Sequence, residues 1–241
     1  MKAGDSVWKS GRLARRFLSA VRGAIPFAQT QIEIMLRLLA TRRQAVRRFL
    51  DLGCGDGVLG AAILEAYPKA SGLFVDFSQP MLEACRVRFA RTSVTMVLLD
   101  YGKRSWVNEV RPLGPFDAIV SGFSIHHQPD KRKRQLYGEI YRLLARDGWF
   151  VNIEHVAPAS AVTTTLFGEQ MVKGIRRLQP KLSPATVRRR YVNRADKAAN
   201  ILAPVDRQCE WLRAAGFMDV DCYFKIYELA VFGGRKSRPA G

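Results

Sequence analysis

The 241-residue sequence predicts an α/β protein built around a mostly parallel sheet. Between residues 49 and 156, apolar runs of strand length alternate with stretches of helical length, which is typical of parallel strands joined by crossover helices. Two further runs, over residues 217–234, are joined by a short turn and predict a closing hairpin. A glycine-rich turn after the first run indicates that the sheet carries a ligand site.

The flanking helices follow from local patterns. Residues 27–46 place their apolar side chains on one helical face, and Pro26 suits the start of that helix. Residues 205–215 show helical spacing and end at Gly216, a helix stop signal. Both helices are expected to pack on the sheet.

The ends of the chain and one insertion differ from this regular alternation. Residues 1–24 are basic and acid-poor, so we expect a mobile N-terminal segment, and residues 235–241 are expected to form a disordered tail. Residues 157–204 are rich in proline and hold two helix-like stretches, 161–178 and 184–200. We expect this insertion to form a cap over the carboxyl ends of the strands.

The most informative segment reads FLDLGCGDGVLG from residue 49 to residue 60. An apolar strand leads into Asp51, and Gly53, Gly55 and Gly57 follow. The first two glycines allow positive φ and remove Cβ atoms that would block a ligand. The next helix points its free backbone N–H groups at that ligand. This arrangement suits an adenosine cofactor, although a turn without function and an NAD site remain alternatives.

Polar residues also end the next three strands. They are Asp76, which lies 25 positions after Asp51, then Asp100, and then Ser121 with Gly122. Ligands of open α/β sheets lie outside the carboxyl ends of the strands, so these groups should meet at one cleft. An acid at the end of the second strand can accept hydrogen bonds from both ribose hydroxyls.

The motif D-x-G-x-G-x-G resembles motif I of the class I S-adenosylmethionine (SAM) methyltransferases, and differs from the G-x-G-x-x-G of dinucleotide sites. The resemblance covers about residues 25–234. It implies a single methyltransferase domain with a Rossmann-like, seven-stranded, mostly parallel sheet, an antiparallel last strand, an N-terminal helix and a helical cap. It also implies SAM as the cofactor and a separate methyl acceptor.

The resemblance assigns roles around the first two strand ends. Residues 76–81 match a D-x-S-x-x-M variant in which Met81 packs on the adenine or its neighbours, and Phe77 lies beside it. Cys54 matches a position that the family fills with a small apolar side chain. At the end of the third strand, the resemblance places Asp100 at the adenine amino group.

Three more contacts with the cofactor are implied at these ends. The residue after the third acid, Tyr101, would line the adenine ring. Ser121 and Gly122 would lie beside the methionine moiety. Within the class, the chain looks most similar to small-molecule methyltransferases, including the ubiquinone and menaquinone enzymes.

A more distant similarity is to carboxy-SAM synthase. Ile25-Pro26, the cap and Arg194 resemble that enzyme, in which an arginine of this region holds the extra carboxylate. Ala28 stands where the synthase has a tyrosine that contacts the cofactor, and this difference argues against carboxy-SAM chemistry. Tyr191 and Arg194 remain candidates for contact with the substrate.

The charge is unusually positive, at +18, and it is concentrated in two segments. Residues 1–48 contribute +9 and residues 173–197 contribute +8. A basic surface attracts polyanions, so nucleic acid and anionic membrane surfaces stay open as partners beside a small-molecule acceptor. Few aromatic residues accompany the charge, whereas readers of RNA usually stack bases on aromatic side chains.

The composition further limits the localisation and the type of site. No apolar run approaches the ~20 residues that span a bilayer, and no signal peptide is evident. The four cysteines show neither a C-x-x-C pair nor metal-ligand spacing, so we expect a cytoplasmic protein with reduced thiols and no metal. Oligomeric state is left open.

Candidates for catalysis follow the fourth and fifth strands. His126 and His127 come after one strand, and Glu154 and His155 after the next; all three histidines of the chain are among them. A histidine can accept a proton near neutral pH, which a protonated acceptor requires. A purely structural hydrogen bond is the alternative. We predict a SAM-dependent methyltransferase for a small molecule, with an RNA-directed enzyme or a non-catalytic SAM-binding protein as alternatives.

Overall fold

A computed structural model describes residues 22–92, 94–192 and 200–237. In this part of the chain, seven strands form one sheet in the order β3-β2-β1-β4-β5-β7-β6. The strands are β1 (Arg48–Leu52), β2 (Ser71–Asp76), β3 (Thr95–Leu98), β4 (Phe116–Gly122), β5 (Leu144–His155), β6 (Phe217–Ile226) and β7 (Leu229–Lys236). β7 is antiparallel to both of its neighbours, and β1 to β5 are parallel. The predicted mostly parallel sheet with an antiparallel last strand is confirmed.

Helices connect and cover these strands. They are α1 (Ala28–Ala40), α2 (Val58–Ala66), α3 (Gln79–Arg88), α4 (Trp106–Val110), α5 (Asp130–Leu143), α6 (Ala161–Leu178), α7 (Pro184–Val187) and α8 (Val205–Ala214). Short 3₁₀ turns occur at Arg22–Ala24, Arg111–Leu113 and Ile125–His127, and a π turn at Arg188–Val192 follows α7. Among the helices described, none is long and apolar enough to cross a membrane.

The core lies on both faces of the sheet because strand side chains alternate between them. Leu50 and Ile119 belong to one apolar cluster, which packs under α4, α5 and α8. Their neighbours Phe49 and Ala118 belong to a second cluster, which packs under α1, α2 and α3. Every one of these four side chains is fully buried.

The sheet order explains where a ligand can bind. From β1 the chain proceeds to β2 and β3 on one side, and then returns to place β4 and β5 on the other side. This reversal leaves a crevice at the carboxyl end of β1, which is the usual ligand position in such sheets. The glycine-rich turn begins there.

Three sequence-based boundaries need correction. The N-terminal helix, expected over 27–46, spans Ala28–Ala40, because Arg42 turns away from it to donate hydrogen bonds to Asp117 and Asp147. The N-terminal segment expected over 1–24 ends too late, since Ala24 is buried against α6.

The tail expected from residue 235 begins too early. β7 extends to Lys236, and Arg235 forms ion pairs with Asp147 and Asp219. In the cap, α6 matches the stretch expected over 161–178. Of the second stretch, expected over 184–200, Pro184–Val187 is α-helical and Arg188–Val192 forms the π turn; residues 193–199 lie outside the described residues.

Candidate cofactor and active site

An open cleft lies at the carboxyl ends of β1, β2 and β4. The glycine turn, the end of β2 and the first turn of α1 form its walls. It is lined by Ile25, Ala28, Gln31, Ile32, Asp51, Gly53, Cys54, Gly55, Val58, Leu59, Asp76, Phe77, Ser78, Met81, Gly122, Phe123, Ser124, His127 and Ile153.

The glycine turn requires glycine for two different reasons. Gly53, Gly55 and Gly57 all have positive φ, at 68°, 57° and 78°. A Cβ on Gly53 would lie 1.9 Å from Ser124 Oγ, whereas a Cβ on Gly55 would meet no protein atom within 4 Å and would point into open space. The N–H groups of Gly53 and Cys54 both donate to the Val75 carbonyl and tie the turn to β2. The turn is therefore fixed, with an open side toward the cleft.

Two buried acids hold this turn in place. Asp51 Oδ2 accepts from the Gly60 N–H at 2.9 Å, so it anchors the first turn of α2. Asp76 accepts from Gly55 N–H at 2.9 Å and from Ser78 N–H at 2.8 Å. Burial raises the pKa of Asp76 to about 6, although backbone N–H groups oppose that shift. Asp76 thus offers a carboxylate whose charge is poorly solvated.

The residues that follow β3 lie beside the cleft but do not line it. Asp100 Oδ1 accepts from the Gly102 N–H at 2.8 Å and so caps its own turn. The buried Tyr101 hydroxyl bonds to Ser124 Oγ at 2.5 Å, and burial raises its pKa. The expected direct contacts of Asp100 and Tyr101 with an adenine ring are therefore not evident in this conformation, and Tyr101 instead supports the floor under Gly53.

Ser121 also differs from its expected role. Its side chain is fully buried, and its hydroxyl donates to the Leu52 carbonyl at 2.7 Å, which joins β4 to β1. The neighbouring Gly122 lines the cleft as expected. Gly57 does not line the cleft, since it packs instead against Phe74, Cys85 and Phe89.

The four candidate catalytic residues are brought together at one end of the cleft. His126 Nδ1 lies 2.6 Å from Glu154 Oε1, and the His126 N–H donates to Glu154 Oε2 at 3.0 Å. The His126 ring centroid lies 4.0 Å from that of His127 and 5.7 Å from that of His155. Among these four residues, His127 lines the cleft. Burial raises the pKa of Glu154 to about 7.

A second histidine–carboxylate pair supports the first. His155 Nε2 lies 2.7 Å from Glu228 Oε2, at the turn between β6 and β7. Phe167 of α6 packs on the His155 ring with centroids 5.6 Å apart. The His126 carbonyl accepts from the N–H of Ile201, near the end of the cap. The cap is thus attached directly to the histidine cluster.

Comparisons with known proteins agree with this geometry. Residues 49–148 match the sequence model of a family described as "Methyltransferase domain". The chain is 26% identical over 187 residues to a ubiquinone/menaquinone biosynthesis C-methyltransferase of Desulfotalea psychrophila, covering 76% of this chain and 70% of the relative. It is 27% identical over 127 residues to ribosomal RNA small subunit methyltransferase C of Haemophilus ducreyi, covering 51% and 36%.

The fold is also similar to that of an O-methyltransferase family protein from Burkholderia thailandensis. The TM-score is 0.64 at 15% identity, over 89% of this chain and 57% of that chain. Residues 49–148 therefore carry a methyltransferase domain. A solved structure of the same fold, human N-acetylserotonin methyltransferase, is a complex with SAM; it is 17% identical over 88% of this chain and 55% of that chain, with a TM-score of 0.55. This chain spans little more than half of either solved chain.

The cleft of the methyltransferase fits SAM by its own chemistry. The bare side of Gly55 leaves room for the cofactor, and Asp76 presents the acceptor that ribose hydroxyls need. Phe77 and Met81 lie beside Asp76 and supply apolar surface for the adenine. The lining contains two carboxylates and, among the described residues, no lysine or arginine, which suits a cofactor with a sulfonium and an ammonium group.

Of the two predicted substrate residues, Tyr191 does not line the cleft. The Tyr191 hydroxyl donates to Gln179 Oε1 at 3.2 Å, so this side chain is used within the cap. Arg194 lies outside the described residues. Conversely, sequence reasoning missed Gln31, Ser124 and Glu228. Gln31 could have been found from the sequence, because it is a polar residue on the apolar face of α1. In the structure it is only 1% exposed.

Proposed function

We propose that this methyltransferase methylates an O–H or N–H group of a small-molecule acceptor, with His126 as the general base. The His126–Glu154 pair is the observation that carries the proposal. A carboxylate held against one ring nitrogen fixes the tautomer of a histidine and stabilises its protonated form. His127 lines the cleft and its ring packs on that of His126, so the pair lies directly behind the wall of the cleft.

Methyl transfer from a sulfonium is an in-line displacement that depends mainly on positioning and exclusion of water. SAM supplies the electrophilic methyl group. The glycine turn and Asp76 hold the cofactor, while the cap and the 3₁₀ turn at Ile125–His127 exclude water from the histidine cluster. His126 takes the acceptor's proton, and Glu154 stabilises the resulting positive charge.

The burial of this cluster favours a small acceptor. Glu154 is 0% exposed and His126 is 6% exposed. A small molecule can enter such a site under the cap, whereas a base within a folded RNA would need the cap to move. This supports the small-molecule proposal over an RNA-directed enzyme.

The test compares turnover with SAM affinity. His126→Gln should lower kcat by about 10²- to 10⁴-fold, the usual contribution of a general base, while SAM affinity measured by titration calorimetry stays unchanged. Activity would be followed as S-adenosylhomocysteine release, with a panel of phenols, amines and quinols as acceptors. Full activity of His126→Gln on an acceptor of the wild type would refute the proposed base.

The pH profile gives a second measurement on the same pair. Because burial raises the pKa of Glu154 to about 7, the His126–Glu154 pair should hold an extra proton below that pH. A pair with that proton cannot accept another, so kcat/KM should fall as pH falls through about 7. Glu154→Gln should remove or displace this inflection, and an unchanged profile would exclude Glu154 from the pair's titration.

We also propose that the cap contacts an anionic lipid surface. Residues 161–192 carry seven basic residues and a single acidic one, Glu169. On α6, Val162 and Leu166 are exposed on the same face as Lys173 and Arg177, by helical spacing. Exposed aliphatic and basic side chains on one face are typical of helices that lie on membranes.

Nucleic acid is the competing partner, and the aromatic residues of the cap argue against it. Phe167 packs on His155, and Tyr191 is partly buried with its hydroxyl bonded to Gln179. Neither ring is free to stack on a base, as RNA-binding surfaces usually require.

A further inference from the structure

In the side-chain amide of the buried Gln31, on α1, the nitrogen has a hydrogen-bond partner and the oxygen has none among the described residues. Gln31 is 1% exposed, and its Nε2 donates to the Pro26 carbonyl at 2.8 Å. That bond sets the orientation of the amide, because a carbonyl can only accept. Oε1 is left inside the protein with no hydrogen-bond partner among the described residues.

A buried carbonyl oxygen without a partner costs free energy, and native proteins rarely leave one unmatched. Gln31 lines the cofactor cleft. Oε1 is covered by neighbouring atoms, and among the described residues the cleft is the ligand-sized space that Gln31 borders, so a ligand bound there is in position to supply the missing donor. The polar residue on the otherwise apolar face of α1 is explained if the ligand completes its hydrogen bonding.

The position of α1 selects one end of the cofactor. α1 packs against α2 and against β5, β6 and β7. The ribose acceptor Asp76 lies instead at the end of β2, across β1 and β4 from those strands. With the ribose at Asp76, the amino-acid end of the cofactor extends toward β4 and β5, where Gln31 lies.

The chemistry of that end selects one group. The carboxylate of the amino-acid end only accepts hydrogen bonds, and its ammonium only donates them. Gln31 Oε1 is an acceptor and matches the ammonium alone. We infer that Gln31 binds the α-ammonium group of SAM through Oε1, while its Nε2 fastens the Ile25-Pro26 segment over the cleft.

This inference rests on SAM as the methyl donor of the proposed function, and not on the identity of the acceptor. It also gives the segment before α1 a role in cofactor binding. In this arrangement Gln31 Oε1 accepts from the cofactor, while Nε2 donates to the Pro26 carbonyl.

The test uses two ligands that differ only in the amino group. S-adenosylhomocysteine and its desamino analogue would be titrated calorimetrically into the wild type and into Gln31→Met, a substitution of similar shape without the amide. We expect Gln31→Met to bind S-adenosylhomocysteine about tenfold more weakly, the value of one hydrogen bond of ~1.4 kcal/mol. The affinity for the desamino analogue should not change.

Two other variants complete the design. Gln29→Met is the matched control, since Gln29 is exposed on the same helix and bonds to Glu33 alone among the described side chains; both affinities should stay at wild-type values. Gln31→Glu keeps the acceptor oxygen, so it should retain the preference for the ligand with an amino group even if Gln31→Met does not fold.

Equal loss of affinity for both ligands would overturn the inference and leave Gln31 with a packing role. Unchanged affinity for both would show that Oε1 does not contact the cofactor. Neither measurement requires turnover. A protein that distinguishes the two ligands as expected but transfers no methyl group would contradict the proposed function alone.

Discussion

At the scale of single residues, Asp76 combines two opposing influences. Its carboxylate accepts from two N–H groups of the cleft, at Gly55 and Ser78, and these favour the charged form. Burial outweighs them and raises the pKa to about 6. Ribose hydroxyls would add donors to the charged form and stabilise it further. Cofactor binding and ionisation of Asp76 should therefore favour each other.

This linkage predicts how SAM affinity depends on pH. Below about pH 6 the Asp76 carboxyl is protonated and is a weaker acceptor, so affinity should rise as pH rises through 6 and should level off above pH 7. Asp76→Asn should weaken SAM binding by about 10- to 100-fold at pH 8 and flatten this rise. Calorimetric titrations from pH 5 to pH 8 would measure both effects, and a wild-type affinity constant across that range would contradict the prediction.

The same residues show which parts of the site are predictable from sequence. Asp76 and the glycines were identified because their roles depend on the local backbone, where a strand ends in a turn. The hydroxyl of Ser121 bonds to the carbonyl of Leu52, 69 positions away, and no local pattern in the sequence indicates that bond. Glu228 was missed because its partner, His155, is brought close only by the pairing of β5 with β7.

At the scale of elements, α5 shows how long-range contacts change the meaning of a local pattern. A run of four basic residues, 131–134, lies in the first turns of this helix. Arg132 and Lys133 are buried, at 8% and 0% exposed. Arg132 pairs with Glu139 and donates to the Tyr101 carbonyl, whereas Lys133 bonds to the Ile201 carbonyl. Two of the four charges thus fasten the loop after β3 and the end of the cap.

The cap helix α6 offers a matched pair of glycines for a test. A Cβ on Gly168 would make ordinary contacts, 3.5 Å from Val192 and 3.7 Å from Arg188. A Cβ on Gly174 would lie 2.8 Å from the Ala24 carbonyl oxygen and must displace residues 22–24. Both substitutions bring the same gain in helix propensity, roughly 0.5–1 kcal/mol.

We therefore expect opposite effects on stability. Gly168→Ala should raise the midpoint of thermal unfolding by a few degrees, whereas Gly174→Ala should lower it. Gly174→Ala should also weaken SAM binding, since residues 22–24 lead directly into the segment that Gln31 holds. Calorimetry of the two variants, with and without SAM, would measure this. Equal stabilisation by both would show that the 22–24 segment does not pack on α6 in solution.

At the scale of the whole molecule, part of the net charge of +18 lies on the described surface of the cap, beside the site. Exposed basic residues lie on α6, whose Phe167 packs on His155, and in the π turn that follows α7. The opposite end of the sheet, at the amino ends of the strands, also carries exposed basic residues, among them Lys69 and Arg91. Removing two positive charges from either end changes the net charge equally, so the comparison of the two ends isolates the effect of position.

The last prediction uses this comparison on vesicles of neutral and anionic phospholipid. Binding should require the anionic lipid and should weaken with salt, because the attraction is screened over about 10 Å at 0.1 M. Lys173→Gln combined with Arg177→Gln should reduce binding about thirtyfold, at ~1 kcal/mol for each residue near the surface. Lys69→Gln combined with Arg91→Gln removes the same charge and should have little effect.

The aliphatic part of the same face separates lipid from nucleic acid. Leu166→Ser leaves every charge in place and should weaken vesicle binding further, because the exposed side chain no longer enters the interface. An RNA-binding surface would respond to the paired charge substitutions in an RNA titration and would ignore Leu166→Ser. Equal loss from the two charge pairs would mean that net charge alone attracts the vesicle, and the cap would then have no specific part in it.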